Sequence, residues 1–376
     1  MSKRLATLDG VCEFIVDCLH ATAPIQDEGY PMVRTPNIGR GRLNLEGVYR
    51  VSLETYEKWT RRAVPQTGDL VLAREAPAGN VAIIKGGQQV CLGQRTVHLR
   101  PDPTQVDPDF LCYFLLAPKQ QGVLLAGATG VTAKHVNMKD IRRLPLNELP
   151  TLEVQQRTAA VLSAYDDLIE NNRRRIRLLE AAARQLYQEW FVRLRFPGHE
   201  HVAVVDGVPE GWEKVTLGEV APFKYGKALK EDDRVPGQYP VYGSSGVIGT
   251  HESALIEGPG IIVGRKGNVG SVYWSDDAFY PIDTVYYIEA ENVSLYLYYI
   301  LYHTNFISTD VAVPGLNRDY AHSRKVQIAD PALLQKFESI VAPIHAQLSV
   351  LRRHNTRLSK ARDLVLPKLM NGELQV

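Results

Sequence analysis

A glycine-rich stretch in the second half of the chain is the first candidate for chemistry, because loops of this composition can hold a phosphate. Residues 258–274 are GPGIIVGRKGNVGSVYW, with glycines on both sides of Arg265 and Lys266. A nucleotide-binding P-loop has the pattern G-x-x-x-x-G-K-[ST] and opens a helix whose N-terminal amides face the phosphates. Residues 271–274 are instead a β-branched and aromatic run, which predicts a strand. The sequence therefore predicts a turn between two strands here, and no nucleotide pocket.

The common catalytic motifs are absent from the sequence. It has no Walker lysine, no G-x-G-x-x-G after a strand, no H-E-x-x-H, no G-x-S-x-G elbow and no Asn/Asp-Pro-Pro-Tyr/Phe motif of amino-methyltransferases. His199, Glu200 and His201 are adjacent in a Pro/Gly-rich linker, where three neighbouring residues cannot close a tetrahedral metal site. Ser244 and Ser245 lie in YGSSG, which predicts a polar turn, since the sequence places no base beside them. We predict no catalytic residue and no metal site.

Composition is that of an ordinary globular protein. The chain has 376 residues, 45% of them hydrophobic and 23% charged, which leaves room for two or three domains. Four cysteines have neither zinc-ligand spacing nor a disulfide framework and are predicted to be buried or incidental thiols: Cys12, Cys18, Cys91 and Cys112. The N-terminus lacks the apolar core of a signal peptide, and no window approaches the roughly 18 apolar residues of a membrane span. We expect a cytoplasmic location and no membrane contact.

The chain repeats itself at several points. TLDGVCEF at 7–14 matches TLGEVAPF at 216–223, and LVLAREAPAGNV at 70–81 aligns with IIVGRKGNVGSV at 261–272. In that alignment Arg74 corresponds to Arg265, Gly79 to Gly270 and Glu75 to Lys266. Further strand, helix and turn segments recur in the same order: 96–99 with 284–288, 109–117 with 294–302, and 130–141 with 315–326. Two copies of one mixed α/β module, each followed by a long helix, account for the whole chain.

The two long helices have the apolar spacing of a coiled coil, with steps of three and four residues and an internal asparagine in each. The predicted seam residues are Leu162, Ile169, Asn172, Ile176 and Leu179 in the first helix, and Leu348, Leu351, Asn355 and Leu358 in the second. We predict antiparallel packing with the two asparagines at the same level. A helix over 153–192 would be about 60 Å long. The alternative, in which each helix only covers its own module, is less consistent with seams of this length.

The predicted fold class is therefore α/β (α+β), with two similar mixed α/β modules separated by two long antiparallel coiled-coil helices in a pseudo-two-fold dumbbell. The predicted boundaries are a first module at 1–150, a central helix at 151–195, a linker at 196–212, a second module at 213–330 and a C-terminal helix at 331–376.

Basic residues indicate binding rather than catalysis. Residues 31–100 contain 11 Lys/Arg against 5 Asp/Glu, an excess suited to phosphates, whereas residues 221–330 contain 9 against 13 and gather their bases in loops. The candidate contact residues are Arg34, Arg40, Arg42, Arg74, Lys134 and His135 in the first module, and Lys224, Lys227, Tyr242, Ser244, Ser245, Arg265, Lys266 and Arg318 in the second. For any one of them a solvated surface position is an equal alternative, and Arg74 and Arg265 are as well suited to bracing the fold.

The sequence resembles the specificity (S) subunit of type I restriction-modification enzymes. The resemblance rests on the two repeated modules and on three segments: GIIVGRKGNVG at 260–270, ENNRRRIRLLEAAARQLYQEWFVR at 170–193 and ARDLVLPKLMNGEL at 361–374. The resemblance covers nearly the whole chain. It implies a recognition subunit in which each module contacts one half of a bipartite site in double-stranded DNA, while the helices that such subunits conserve set the spacer.

The resemblance also implies partners. Two methyltransferase (M) subunits would dock on the helices and bind S-adenosylmethionine, and translocase-nuclease (R) subunits would bring ATP and Mg²⁺, so that no cofactor is expected on this chain. Because the modules differ in loops and charge, the two half-sites should differ in sequence. Two other classes stay open: a methyltransferase with its own cofactor site, and a coiled-coil scaffold with no sequence-specific DNA role.

Overall fold

A computed structural model describes residues 6–128, 135–146, 149–306 and 315–376. The chain forms two compact units, one of Met1–Asn172 with His354–Val376 and one of Arg173–Arg353. Each unit combines one α/β module with part of each long helix. Among the described residues, no helix is long and apolar enough to cross a membrane.

The first module is built on short strands around one buried central strand. Its strands are β1 Ala6–Thr7, β2 Cys12–Asp17, β3 Tyr30–Val33, β4 Gly41–Arg42, β5 Arg50–Val51, β6 Leu70–Ala73, β7 Val81–Ile83, β8 Cys91–Leu92, β9 Thr96–Pro101 and β10 Pro145–Leu146. Its helices are α1 Leu53–Trp59, α2 Pro108–Leu116, α3 Pro118–Ala126 and α4 Met138–Arg142, followed by the long helix α5 Leu152–Tyr187. The main sheet has the order β2-β9-β6-β7-β4, with every residue of β6 buried, and a smaller sheet has the order β5-β3-β8.

The second module repeats this plan. Its strands, after a linker hairpin of β11 Val204–Val205 and β12 Val208–Pro209, are β13 Glu213–Thr216, β14 Lys224–Tyr225, β15 Tyr239–Gly243, β16 Gly246–His251, β17 Gly260–Gly264, β18 Val272–Ser275, β19 Tyr280–Pro281, β20 Val285–Ile288 and β21 Lys325–Ile328. Its helices are α6 Leu217–Val220, α7 Leu295–His303 and α8 Arg318–Ser323, followed by α9 Pro331–Met370. The sheets β14-β20-β17-β18 and β16-β15-β19 correspond to β2-β9-β6-β7 and β5-β3-β8 of the first module.

Strand directions and hydrogen bonds confirm the repeat. β3 pairs with β8 in parallel and β15 pairs with β19 in parallel, an uncommon feature to share by chance in otherwise antiparallel sheets. The Gly79 amide donates to the Ala73 carbonyl at 2.8 Å, and the Gly270 amide donates to the Gly264 carbonyl at 2.9 Å. Both glycines have positive φ, 96° and 77°, which a side chain would strain. The correspondence of Gly79 with Gly270 predicted from the sequence is therefore correct.

The helix after β9 and the helix after β20 begin in the same way. Asp107 caps α2 by accepting from the Phe110 amide, and Ser294 caps α7 by accepting from the Leu297 amide. Both helices are apolar on most sides and are mainly buried, since each lies between its sheet and a long helix in the core of its own unit.

The long helices pack antiparallel within each unit, as predicted. In the first unit Leu162 shares a core with Leu366 and Leu369. The Asn172 Nδ2 donates to Asn355 Oδ1 at 2.9 Å, which places the two asparagines at the same level. Ile169 is buried and Leu358 is half-buried. The predicted seam therefore buries Leu162 and Ile169 in this unit and carries one polar pair with a buried asparagine, which specifies register.

In the second unit the same antiparallel contact continues with aromatic residues. Glu180 on α5 pairs with Arg352 on α9 at 2.6 Å, and further along α5 Trp190 and Phe191 pack on Phe337, nearer the start of α9. The order of the contacts shows that the helices run in opposite directions. The remaining predicted seam residues are Leu348 and Leu351, which are buried, and Ile176 and Leu179, which are half-buried. After Tyr187 the helix continues as a π-helical turn to Val192, so the predicted end at 192 is correct.

Candidate nucleic-acid interface

Four segments meet at one edge of the first module, which we call the first loop edge. They are the loop after β3 (residues 34–37), the turn between β6 and β7 (74–80), the segment before β9 (93–95) and the segment before α4 (135–137). The Thr35 hydroxyl donates to the Ala76 carbonyl at 3.1 Å, and the Arg74 amide donates to the Arg95 carbonyl at 2.9 Å. The Val136 amide donates to the Arg74 carbonyl at 3.0 Å, so the turn at 74–80 contacts the other three segments.

The second loop edge has the same construction from residues 243–246, 265–271, 282–284 and 315–317. The Arg265 amide donates to the Thr284 carbonyl at 2.9 Å, and the Leu316 amide donates to the Arg265 carbonyl at 2.8 Å. These two bonds are equivalent to the two bonds that the Arg74 backbone makes in the first loop edge. The Asn268 side chain donates to the Ser245 hydroxyl at 3.1 Å. The glycine-rich stretch of residues 258–274 and the turn with Ser244 and Ser245 are thus neighbours in space, although they are separate in the sequence.

The glycines of residues 258–274 have a packing reason. β17 and β18 flank the turn, as predicted, and a Cβ at Gly264 would collide with the Asn268 carbonyl oxygen. The stretch opens no helix, so its geometry differs from that of a P-loop. Its side chains Arg265 and Lys266 flank the exposed part of the turn.

An arginine–tyrosine cluster forms the surface of the second loop edge. The guanidinium groups of Arg265 and Arg318 lie 4.9 and 5.1 Å from the ring centroid of Tyr225, which is 48% exposed. Arg265 Nη1 also donates to the Asp283 carbonyl at 3.2 Å. Burial and a hydrogen bond with Tyr225 raise the pKa of Tyr286 to about 12, so its hydroxyl is a neutral donor and bonds the Leu316 carbonyl at 2.8 Å. Planar cations stacked on an exposed ring are suited to bases and phosphates.

The two loop edges carry opposite charges at the corresponding turn position. In the first, the Glu75 carboxylate lies 3.2 Å from Arg95 Nε and 3.6 Å from His135 Nδ1. In the second, the Lys266 ammonium lies 4.0 Å from the Asp283 carboxylate. Since a carboxylate accepts hydrogen bonds and an ammonium donates them, the two edges present different hydrogen-bonding groups at this position.

The first loop edge has its own stacked arginine. The Arg34 guanidinium carbon lies 3.8 Å from the ring centroid of Tyr49, beside a cleft of about 490 Å³. Tyr49, Arg95 and Tyr225 are not among the residues predicted from the sequence, because their relation to the loops arises from strands that are distant in the chain. An aromatic residue beside a basic one, as in Lys224-Tyr225, is the signal that could have pointed to one of them.

The polar groups of three predicted contact residues are engaged inside the protein, which favours the alternative that they brace the fold, and for them a contact with DNA stays a prediction. Arg74 is 7% exposed; its Nε donates to the Val136 carbonyl at 3.1 Å and its Nη2 lies 2.9 Å from His135 Nε2. Arg42, whose side chain is 10% exposed, bonds Asp167 at 2.8 Å. Tyr242 lies in the core against Phe279. These side chains brace the fold, because their polar groups are already satisfied inside the protein.

The other candidates divide by position. Arg34 and His135 lie at the first loop edge, and Ser244, Ser245, Arg265, Lys266 and Arg318 lie at the second. Lys227 is exposed and its amide bonds the Pro281 carbonyl, next to the second loop edge. Arg40 donates to the Leu116 carbonyl at the end of α2, and Lys224 pairs with Glu289, so both are outside the loop edges. Lys134 lies outside the described residues.

Within the part of the chain that the structure describes, no group of three or more His, Cys, Asp or Glu side chains is arranged to hold a metal ion. His199, Glu200 and His201 form an exposed 3-10 turn of the linker. Around them, Phe196 and Trp212 are buried in the core of the second unit, so this linker is anchored at both ends.

Comparisons with known proteins agree with the repeated architecture. A family described as "Type I restriction modification DNA specificity domain" matches residues 6–181 and 209–319, one match for each module. The type I restriction enzyme MjaIX specificity subunit of Methanocaldococcus jannaschii is 26% identical over 90% of this chain and 83% of its own length. The putative MjaX specificity subunit of the same organism is 21% identical over 98% of this chain and 93% of its own.

A solved structure has the same fold. The crystal structure of the type I restriction-modification system S subunit from M. genitalium aligns with 97% of this chain and 95% of its own, with a TM-score of 0.57 and 21% identity. These matches support neither a scaffold without a DNA role nor a methyltransferase.

Proposed function

The chain belongs to the type I restriction-modification DNA specificity family, and from that premise we propose that its two loop edges each bind one half of a bipartite DNA site. The observation that carries this proposal is the repeated edge: four equivalent segments meet in each unit with the same backbone hydrogen bonds, yet they present different side chains. A common scaffold with variable loops is the arrangement expected for two independent recognition surfaces.

The two halves of the site differ in sequence. Arg34 in the first module corresponds to Gly243 in the second, because each directly follows the last residue of its strand in the parallel pair, Val33 in β3 and Tyr242 in β15. Glu75 corresponds to Lys266, which reverses the charge of the turn. Side chains that differ in size and charge at equivalent points favour different base pairs, so the site is asymmetric.

We also propose a division of labour. Helices α5 and α9 set the distance between the half-sites and dock two M subunits, which bind S-adenosylmethionine. R subunits supply cleavage with ATP and Mg²⁺, and this chain itself binds no cofactor and acts in the cytoplasm, where the DNA is. Family membership and the lack of catalytic motifs in the sequence support this division. Exposed apolar side chains on the long helices are consistent with docking: Leu168, Leu178, Val350 and Leu364.

A selection experiment tests the recognition role. The chain is assembled with its M partner and used to select from a pool of random DNA duplexes at several salt concentrations. We expect two short enriched blocks of unequal sequence at a fixed spacing. The logarithm of the binding constant should fall linearly with the logarithm of the salt concentration. A coiled-coil scaffold would select no sequence. For the cofactor, calorimetry of the purified chain alone with S-adenosylmethionine should give no binding heat, whereas a methyltransferase would bind it unaided.

A matched insertion tests the spacing role. Seven residues are added to both α5 and α9 at the level of the Asn172–Asn355 pair, which preserves the heptad seam. We expect a longer spacer with both blocks unchanged. A change in either block would contradict the role of the helices as a spacer.

A further inference from the structure

The cleft at the first loop edge has a volume of about 490 Å³ and is lined in part by Arg34, Thr35, Tyr49, Ala76 and Arg95. We propose that Arg34 is a specificity-determining residue that binds a guanine in the half-site of the first module. This inference rests on the proposed recognition function and goes beyond it, since it assigns one base to one side chain.

The Arg34 side chain lies over an aromatic ring. Its guanidinium carbon is 3.8 Å from the centroid of the Tyr49 ring, and this contact restricts the motion of the side chain while its N–H groups can still donate. The stack is at the surface of the module, because Tyr49 is 43% exposed. A planar fork held in one orientation loses less entropy when it binds a planar partner.

The Arg34 side chain lacks a partner inside the protein among the described residues. In the described parts of the chain, the Arg34 side chain makes no ion pair, and its Nε is buried without a hydrogen-bond acceptor. The neighbouring candidates are engaged: Arg74 bonds the Val136 carbonyl, Arg42 bonds Asp167 and Arg40 bonds the Leu116 carbonyl. A buried donor without a partner is costly, and Arg34, unlike these three neighbouring arginines, has guanidinium donors left for a ligand.

The backbone that lines the cleft has an unusual conformation at two residues. Ala76 has a φ of 47° and Arg95 a φ of 68°, conformations that residues other than glycine rarely adopt. Among the described residues, the other positive-φ positions that are not glycine are Leu194 and Asp206 in the second unit, so both examples in the first unit line this one cleft. Residues held in such conformations cluster at ligand-binding sites, where the surrounding structure must maintain them.

Guanine is the base whose groups match an arginine side chain. Guanine presents O6 and N7 as two adjacent acceptors in the major groove, and these match two N–H groups of one guanidinium. A phosphate contact would also satisfy the charge, but it carries no sequence information and weakens all sites equally. The position of Arg34 is taken by Gly243 in the second module, so a base contact here affects one half-site only.

The test uses the full chain co-expressed with its M partner, with methylated motifs mapped across the genome by long-read sequencing. The variants are Arg34→Ala, Arg34→Lys and Tyr49→Leu, with Arg61→Ala as a matched control because Arg61 is an exposed arginine of the same module. We expect Arg34→Ala to make one G·C pair degenerate in one block, with a loss of discrimination of about tenfold or more. The other block and the spacer should not change, and Arg61→Ala should give the wild-type motif.

Other outcomes decide against the assignment. An unchanged motif, degeneracy at an A·T pair, or equal weakening of both blocks at all positions would overturn it, the last because it indicates a phosphate contact. If Arg34→Ala yields no complex with M, Arg34→Lys decides, because lysine keeps the positive charge but lacks the two parallel N–H donors of a guanidinium. We expect several-fold lower discrimination at the same G·C pair, and full discrimination would overturn the proposal. A wild-type chain that specifies no bipartite motif would instead refute the proposed function itself.

Discussion

The Asn172–Asn355 pair allows a quantitative test of the helix pairing. Asn172 is 5% exposed and its Nδ2 donates to Asn355 Oδ1 at 2.9 Å, while Asn355 Nδ2 donates to the Ile169 carbonyl at 3.3 Å. Asn355→Leu removes both bonds and leaves the buried amide of Asn172 with His354 Nδ1, 3.4 Å away, as its remaining partner. With only this longer contact left, the buried amide is poorly satisfied, which costs about 1–3 kcal/mol when satisfaction is lost, so we expect a destabilisation within that range.

The double variant separates this effect from general disturbance. In Asn172→Leu with Asn355→Leu no buried amide is left unpaired, and two leucines at a seam are compatible with a coiled coil. The double variant should therefore be at least as stable as the wild type, with a coupling energy of about 1–3 kcal/mol relative to the sum of the single variants. The asparagines then contribute register rather than stability.

Hydrogen exchange of the helix amides in residues 160–172 measures the local opening free energy in wild type, both single variants and the double variant. Exchange should accelerate in each single variant and return to the wild-type rate or slower in the double variant. Additive effects of the two substitutions, with the double variant exchanging fastest, would refute the paired arrangement of the two asparagines.

Three further predictions concern charge. Arg362→Leu removes the cation that pairs with the Asp166 carboxylate, whose side chain is 3% exposed, and leaves the Tyr113 hydroxyl as its hydrogen-bond partner. The free energy of unfolding, measured in urea, should fall by about 3–5 kcal/mol. Arg357→Leu, on the exposed face of the same helix, is the control and should change it little. Burial, followed by the charge of Arg352, lowers the pKa of His345 to about 4, so below its ordinary value near 6.5 the unfolded chain binds a proton that the folded chain does not, and stability falls as the pH falls toward 4. Between pH 7 and 5 the free energy of unfolding should fall by up to about 2 kcal/mol more in the wild type than in His345→Gln. Unfolding is measured by the fluorescence of the tryptophans, three of which are in the second unit. Equal losses would show that His345 is not responsible. Lys266→Ala should lower the slope of log K against log salt by about one without changing the selected sequence, and Lys214→Ala should leave the slope as it is; a changed motif would show that Lys266 contacts a base.

The sequence predicted the repeat and the helix pairing because both depend on local patterns. Apolar strands such as 70–73 and 260–264 are buried throughout, and matching glycines close the turns that follow them. The seam asparagines stand out because they interrupt an apolar spacing of three and four residues. These signals survive in a single sequence, since each is set by neighbours close in the chain.

The contact residues were harder to predict, because the sequence does not indicate whether an arginine side chain is exposed to solvent or buried. Arg74 directly follows the buried strand β6 and bonds a carbonyl 62 residues away, so its burial depends on the segment at 135–137. The stack of Arg265 and Arg318 on Tyr225 combines three distant segments. Such relations depend on the folded sheets, and the sequence indicated only that basic residues collect in loops.

The most direct test of the central claim is to co-express this chain with its M partner and map DNA methylation genome-wide, with and without this chain. We predict a bipartite methylated motif with two unequal blocks that disappears when this chain is omitted. A soluble complex with the M subunit that produces no new motif, or a motif that persists without this chain, would contradict the account.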